Sequence, residues 1–137
     1  MYLLDTNVVS ELRKPKPHGG VVQWIEGIAD SDLHVSAVTI GEIQAGIEIT
    51  REQDEPKASE LELWLGAVSA TFNVVPMDAT TFREWARLMH RTSDTLYEDA
   101  MIAATARVHK FTVVTRNVAD FRCFGVDVFN PFLAAQS

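Results

Sequence analysis

Four acidic residues, far apart in a chain of 137, sit in settings that suggest chemistry more than solvation. Asp5 follows Leu3-Leu4, Glu42 lies between Ile40 and Ile43, Asp99 precedes Met101-Ile102-Ala103, and Asp120 stands just before Phe121. An ionised carboxylate against apolar neighbours is costly unless its charge is compensated. Three or four such groups brought together require a cation. An all-oxygen ligand set suits a hard ion, Mg2+ or Mn2+. Zinc spacing is absent, because His18, His34, His90 and His109 are isolated and Cys123 is the only cysteine. A magnesium ion held by a few carboxylates keeps several waters, which leaves room for a phosphate and an attacking hydroxide. Singly, some of these acids have simpler readings. Asp5-Thr6-Asn7 can cap a helix, and Asp99 can complement a helix dipole. Glu42, one residue from the apolar stripe Ile40-Ile43-Ile47 and beside Gly41 and Gly46, has no comparable structural purpose.

The elements that must bring these residues together are short apolar runs alternating with helical stretches. Residues 2–4, 33–35, 73–75, 112–115 and 127–129 read as strands buried on both faces. Ile40, Ile43 and Ile47 fall on one helical face, as do Leu61, Trp64, Leu65, Val68 and Phe72. Phe82, Trp85, Ala86 and Met89 form a third stripe, and the alanine-rich stretch 98–109 is a helix able to lie close to a sheet. The prolines and glycines of Lys14–Gly20 and the charged run Arg51–Lys57 are connections. This alternation implies an α/β fold: one three-layer α/β/α domain over residues 1–137 with a mostly parallel, roughly five-stranded sheet. In such a sheet the carboxyl ends of the strands share one edge, where ligands bind. Asp5, Asp120 and the helix starts holding Glu42 and Asp99 are expected to converge there.

Composition is compatible with this picture. With 47% hydrophobic residues the chain can fill one core, and no run approaches the roughly 18 apolar residues of a spanning helix. No secretory signal is evident, and a single cysteine agrees with a reducing, cytoplasmic setting. Cys123 itself is expected as a small buried apolar residue.

Five segments resemble those of PIN domains, and within them the VapC-type ribonuclease toxins of the FitB-like branch. They are Tyr2-Leu-Leu-Asp-Thr-Asn-Val-Val-Ser-Glu11, Ser36-Ala-Val-Thr-Ile-Gly-Glu-Ile-Gln-Ala-Gly46, Glu98-Asp-Ala-Met-Ile-Ala-Ala-Thr-Ala106, Val114-Thr-Arg-Asn-Val-Ala-Asp-Phe121 and Val128-Phe-Asn-Pro-Phe132. They follow the family's order. The resemblance implies a PIN-like fold and assigns Asp5, Glu42 and Asp99 to an acidic metal site. The fourth acid falls at either Asn117 or Asp120, and this chain favours Asp120, because Asn117 brings no charge. Thr6, Asn7, Thr115 and Asn117 match supporting positions. The implied activity is a Mg2+-dependent endoribonuclease, the toxin of a type II toxin–antitoxin pair. It would cleave a structured RNA, such as tRNA, to 5′-phosphate and 3′-hydroxyl ends. The implied partners are a VapB-like antitoxin covering the active edge and a second copy of the chain in a homodimer, together forming a hetero-oligomer.

A net charge of −7 argues at first against an RNA partner. The four candidate ligands carry four of those charges, and two magnesium ions would cancel them. Arg13 and Arg116 stand nearest the proposed edge in sequence and are candidate RNA phosphate contacts. Lys14, Lys16, Arg87, Arg91 and Lys110 form a wider basic set. Two rival readings stay open. One is a PIN module that binds RNA or protein without catalysis. The other is a phosphatase forming an aspartyl-phosphate at Asp5, against which Asn7 occupies the place where a second Asp is expected.

Overall fold

All five apolar runs enter one sheet: β1 (Tyr2–Leu4), β2 (Leu33–Ser36), β3 (Asn73–Val75), β4 (Thr112–Val114) and β5 (Val128–Phe129). The structure is a computed structural model describing residues 1–90, 92 and 96–133. The strand order is β3-β2-β1-β4-β5, and every neighbouring pair is parallel. β1 is therefore central, with Leu3 opposite His34 and Val113, and Leu4 opposite Val35 and Val114.

The two-residue period of these strands divides the interior in two. Leu3 and Val113 pack with Ala103, Ile102 and Phe121 on one face, whereas Leu4, Val35 and Val114 pack with Val8, Val9 and Val21 on the other. Helices α1 (Thr6–Glu11), α2 (Gly19–Glu26), α3 (Ala37–Arg51) and α4 (Glu55–Thr71) belong to the second face, and α5 (Ala79–Met89), α6 (Tyr97–His109) and α7 (Val118–Arg122) to the first. The expected α/β/α layering is present.

Several helix starts are set by local chemistry. Asp5, Ser36, Asp54 and Asp78 each accept a hydrogen bond from a backbone N–H of the first turn, and Pro56 lies at the start of α4 where no donor is lost. Within α6, Ala100, Ala103, Ala104 and Ala106 are almost fully buried, so their small side chains do bring this helix close to the sheet. Among the described residues no helix is long and apolar enough to cross a membrane.

Two expectations are corrected. The α5 stripe is rotated: Phe82 is 43% exposed and Ala86 is exposed, while Thr81 is buried and Trp85, Leu88 and Met89 pack on the core. The amphipathic face is shifted because Thr81 donates its hydroxyl to Asp78, so it can enter the interior without an unpaired polar group. Cys123 is exposed rather than buried, its thiol donating to the Asp120 carbonyl at 2.9 Å. The apolar side of this short segment is supplied by Phe121 and Phe124.

Candidate active site

β1 ends at the carboxyl edge of the sheet, and the next residue is Asp5, only 4% exposed. Its backbone N–H continues the ladder to the Val114 carbonyl at 2.9 Å, which fixes where the side chain can go. Oδ1 accepts from the Thr6 N–H at 2.8 Å. Oδ2 accepts from the Thr115 hydroxyl at 2.8 Å and from the Asn7 amide at 3.1 Å. Thr115, at the end of β4, in turn accepts from the Asn117 N–H at 2.9 Å. Asn7 also accepts, through Oδ1, from the Arg116 N–H at 3.3 Å. The Asp5 carboxylate is thus held by groups from two neighbouring strand ends. Burial nevertheless raises its pKa, as does the charge of Asp120, with the Thr115 and Thr6 hydrogen bonds acting in the opposite direction.

The other acids meet this centre from separate helices. Glu42 is not at the start of its helix, as expected, but five residues further along α3, and it reaches the edge through Thr6, whose hydroxyl donates to Oε1 at 2.9 Å. The same hydroxyl lies 2.9 Å from that of Thr39. Burial and a side-chain contact with Glu98 push Glu42 up to about 7, the nearby charges of Glu98 and Asp5 adding to the effect. Asp99, in the first turn of α6 and half-buried, is pushed up to about 6 by burial and by the charges of Asp5, Asp120 and Glu98. Asp120, on α7, is exposed, yet its charge is felt by both Asp5 and Asp99. Asn117, also exposed, joins through its backbone N–H. All four acids named from sequence therefore share one electrostatic neighbourhood at the strand ends.

Could these residues hold a cation? Among the described residues no Lys or Arg forms an ion pair with Asp5, Glu42, Asp99 or Asp120. The mutual repulsion is instead answered by a raised affinity for protons. A positive charge would relieve it equally, and the donors are all oxygen, so the chemistry of the set fits a hard divalent ion. Among the described residues no three acidic, His or Cys side chains are close enough together to grip one ion as they lie. The acids form a spread ring, compatible with Mg2+, which keeps much of its water and uses one or two direct carboxylates.

The basic residues divide. Arg116 stands at the edge, its guanidinium 3.8 Å above the Phe132 ring and 3.9 Å from Glu11. Arg13 lines a cleft of about 370 Å3 that also contains Thr6 and Glu42. Lys110 lies before β4, at the opposite edge, and Arg87 pairs with Glu84. Lys14 pairs with Glu11, and Arg91 lies outside the described residues. Two residues in this neighbourhood were not singled out from sequence. Glu98 is masked by its neighbour Asp99. Glu11, 6% exposed, accepts from Lys14 Nζ and from the His18 N–H, both at 2.9 Å. Its only sequence signal was an acid closing an otherwise apolar helix turn.

Comparison with known proteins places this geometry. The PIN domain family model matches residues 2–122. The chain is 32% identical to toxin FitB of Neisseria gonorrhoeae over 96% of its length and 99% of that protein. It is 34% identical to VapC ribonuclease Y4jK of Sinorhizobium fredii, covering 96% of this chain and 98% of the relative. The crystal structure of FitAcB from Neisseria gonorrhoeae superposes with a TM-score of 0.86 at 31% identity, over 97% of this chain and 99% of that one. With strand order, acidic edge and sequence in agreement, the chain belongs to the PIN domain family.

Proposed function

We propose that this chain, acting as one nuclease unit, is a divalent-metal-dependent endoribonuclease of the toxin type. Asp5, Glu42, Asp99 and Asp120 are its ligand set. The observation that carries this reading is the meeting of four acids from four distant segments, with Asp5, Glu42 and Asp99 all raised in pKa by burial and by neighbouring acids, and with no ion pair from a basic side chain among the described residues. Relatives named as a VapC ribonuclease and as toxin FitB support phosphodiester hydrolysis of RNA. A hard divalent cation bound here would activate water for attack and neutralise charge on the scissile phosphate.

The chain's own residues do the rest. Thr115 and Asn7 hold Oδ2 of Asp5, and Thr6 holds Oε1 of Glu42, so both carboxylates are oriented before anything binds. Glu42, pushed up to about 7 by burial and by its contact with Glu98, can keep a proton at neutral pH where the cation would otherwise stand. Arg116 and Arg13, on either side of the acids, supply positive charge for flanking phosphates. RNA is selected through shape and unpaired bases, because the 2′-hydroxyl is not the nucleophile. Exposed Ile49, Leu63 and Leu133 leave apolar surface for a second copy and for a VapB-like antitoxin.

The test is Mg2+-dependent cleavage of RNA by the purified chain beside Asp5→Asn and Asp99→Asn. Each variant is expected to lose at least ~100-fold in rate while remaining folded, since loss of even an outer-shell partner costs 10–100-fold. Equal cleavage by all three folded proteins would sink the assignment. Hydrolysis of phosphomonoesters in place of RNA would favour the aspartyl-phosphate alternative.

A further inference from the structure

Beside the acids lies a cavity of about 650 Å3 that extends beyond the proposed metal site. It shares Asn117 and Asp120 with the acidic edge and is walled by Arg116, Arg122, Phe129 and Asn130. Its size is within the ~300–1,000 Å3 range of small-molecule sites.

The chemistry of its walls is selective. Arg116 has one face of its guanidinium laid on Phe132, and the Phe132 ring is braced edge-on by His18 at 5.2 Å between centroids. Glu11 stands 3.9 Å from Nη2 of Arg116. The planar cation is therefore pre-positioned, while its side chain remains 54% exposed. A plane of this kind stacks on a nucleobase. Arg122 is exposed and forms no ion pair among the described residues. Asn130 uses Oδ1 to accept from the Phe132 N–H at 3.0 Å, and among the described residues its amide N–H groups have no partner, so they can meet a base edge. A stacking plane, a second cation and free amide donors together match one nucleotide with its phosphate. An acidic peptide would use the cations and the amide but would leave the stacking plane unused.

We propose that this cavity is a subsite for one unpaired nucleotide flanking the scissile phosphate, stacked on Arg116, with its phosphate on Arg122 and its base edge on Asn130. The subsite rests on the nuclease reading for its biological use, but its occupancy is measurable without cleavage. The experiment titrates the 15N-labelled full chain, free of divalent ions, with each of the four nucleoside 5′-monophosphates. Steady-state cleavage of a single-stranded oligoribonucleotide is measured in parallel with Mg2+.

Saturable amide shifts are expected at Asn117, Val118 and Asn130. Arg122→Gln and Asn130→Asp should each bind about tenfold more weakly, the effect of losing one base or phosphate contact. The second variant keeps the acceptor for the Phe132 N–H and so controls for folding. In cleavage both should raise KM far more than they lower kcat. Asp5→Asn should lose cleavage and keep the shifts. Cleavage that is active yet indifferent to Arg122→Gln, with no shifts in the cavity, would overturn the subsite and leave the nuclease reading standing. Shifts without any cleavage would do the reverse. A ten-residue glutamate peptide saturating the same amides more tightly than any nucleotide would also overturn it, in favour of an acidic protein segment.

Discussion

At the scale of single residues, the site depends on hydroxyls as much as on acids. Thr115 is fully buried, donates to Asp5 Oδ2 and accepts from the Asn117 N–H. Thr115→Val keeps the shape, takes one of the two side-chain donors from Asp5 Oδ2 and removes the acceptor of the Asn117 N–H, so it should cost about 1–3 kcal/mol in urea unfolding and roughly 10–100-fold in RNA cleavage. Thr115→Ser should recover most of both. A valine variant as active as the serine variant would mean that the hydroxyl does not orient Asp5. Asp5, Glu42 and Asp99 were legible in sequence because acids flanked by apolar residues need a compensating charge. Glu98 was not. Successive helix residues point about 100° apart, so an acid adjacent to Asp99 in sequence is not expected to share its direction. Yet both acids of the first turn of α6 act at the edge, the charge of Glu98 raising the pKa of Glu42 and of Asp99.

At the scale of elements, α6 carries Asp99 and Glu98 and is positioned by its alanines. Ala103 is completely buried among Leu3, Val113 and Phe121. Ala103→Leu adds volume where none is free and should destabilise by about 1–3 kcal/mol. Because the helix can only move away from the sheet, Asp99 moves with it, and cleavage should fall more than in an equally destabilised variant elsewhere, such as Leu65→Ala in α4. Matched losses of activity in the two variants, compared at equal thermal stability, would show that the helix position does not matter to the site. The runs of β1, β2 and β4 were readable because these strands are largely buried on both faces, whereas that expectation fails for the edge strand β3, where Asn73 and Val74 are exposed. The face of α5 was not readable, because Thr81 enters the core with its hydroxyl already satisfied by Asp78, and hydrophobicity cannot report that. Cys123 was misplaced for a related reason: in a five-residue helix one aromatic, Phe121, fills the inward direction and leaves the thiol outside.

At the scale of the whole molecule, the net charge of −7 is concentrated where it has consequences for folding. Asp5, Glu42 and Asp99 all have pKa values raised above their ordinary ones, Glu42 from 4.5 to about 7 and Asp99 from 3.8 to about 6. The folded state therefore binds protons that the unfolded chain has released. The stability these groups contribute is complete below pH ~4 and is lost as pH rises through about 6 to 7. Glu11, Asp78 and Glu84 are shifted downward and act oppositely, but only in more acid solution, so they leave the neutral window clear. Without divalent ions, the melting temperature should fall between pH 5.5 and pH 8, by roughly 2–4 °C once solvent screening of the half-open Glu42 and Asp99 is counted. Mg2+ bound as proposed would replace the lost protons, so it should raise the melting temperature more at pH 8 than at pH 5.5. Glu42→Gln retains an acceptor for Thr6 and can donate to Glu98. It should melt higher than the parent at pH 8 without metal, show a flatter pH profile and gain less from Mg2+. A parent melting temperature that holds or rises from pH 5.5 to 8 in chelator would mean that the acids are compensated from within the chain, and the case for a cation at this edge would lose its physical basis.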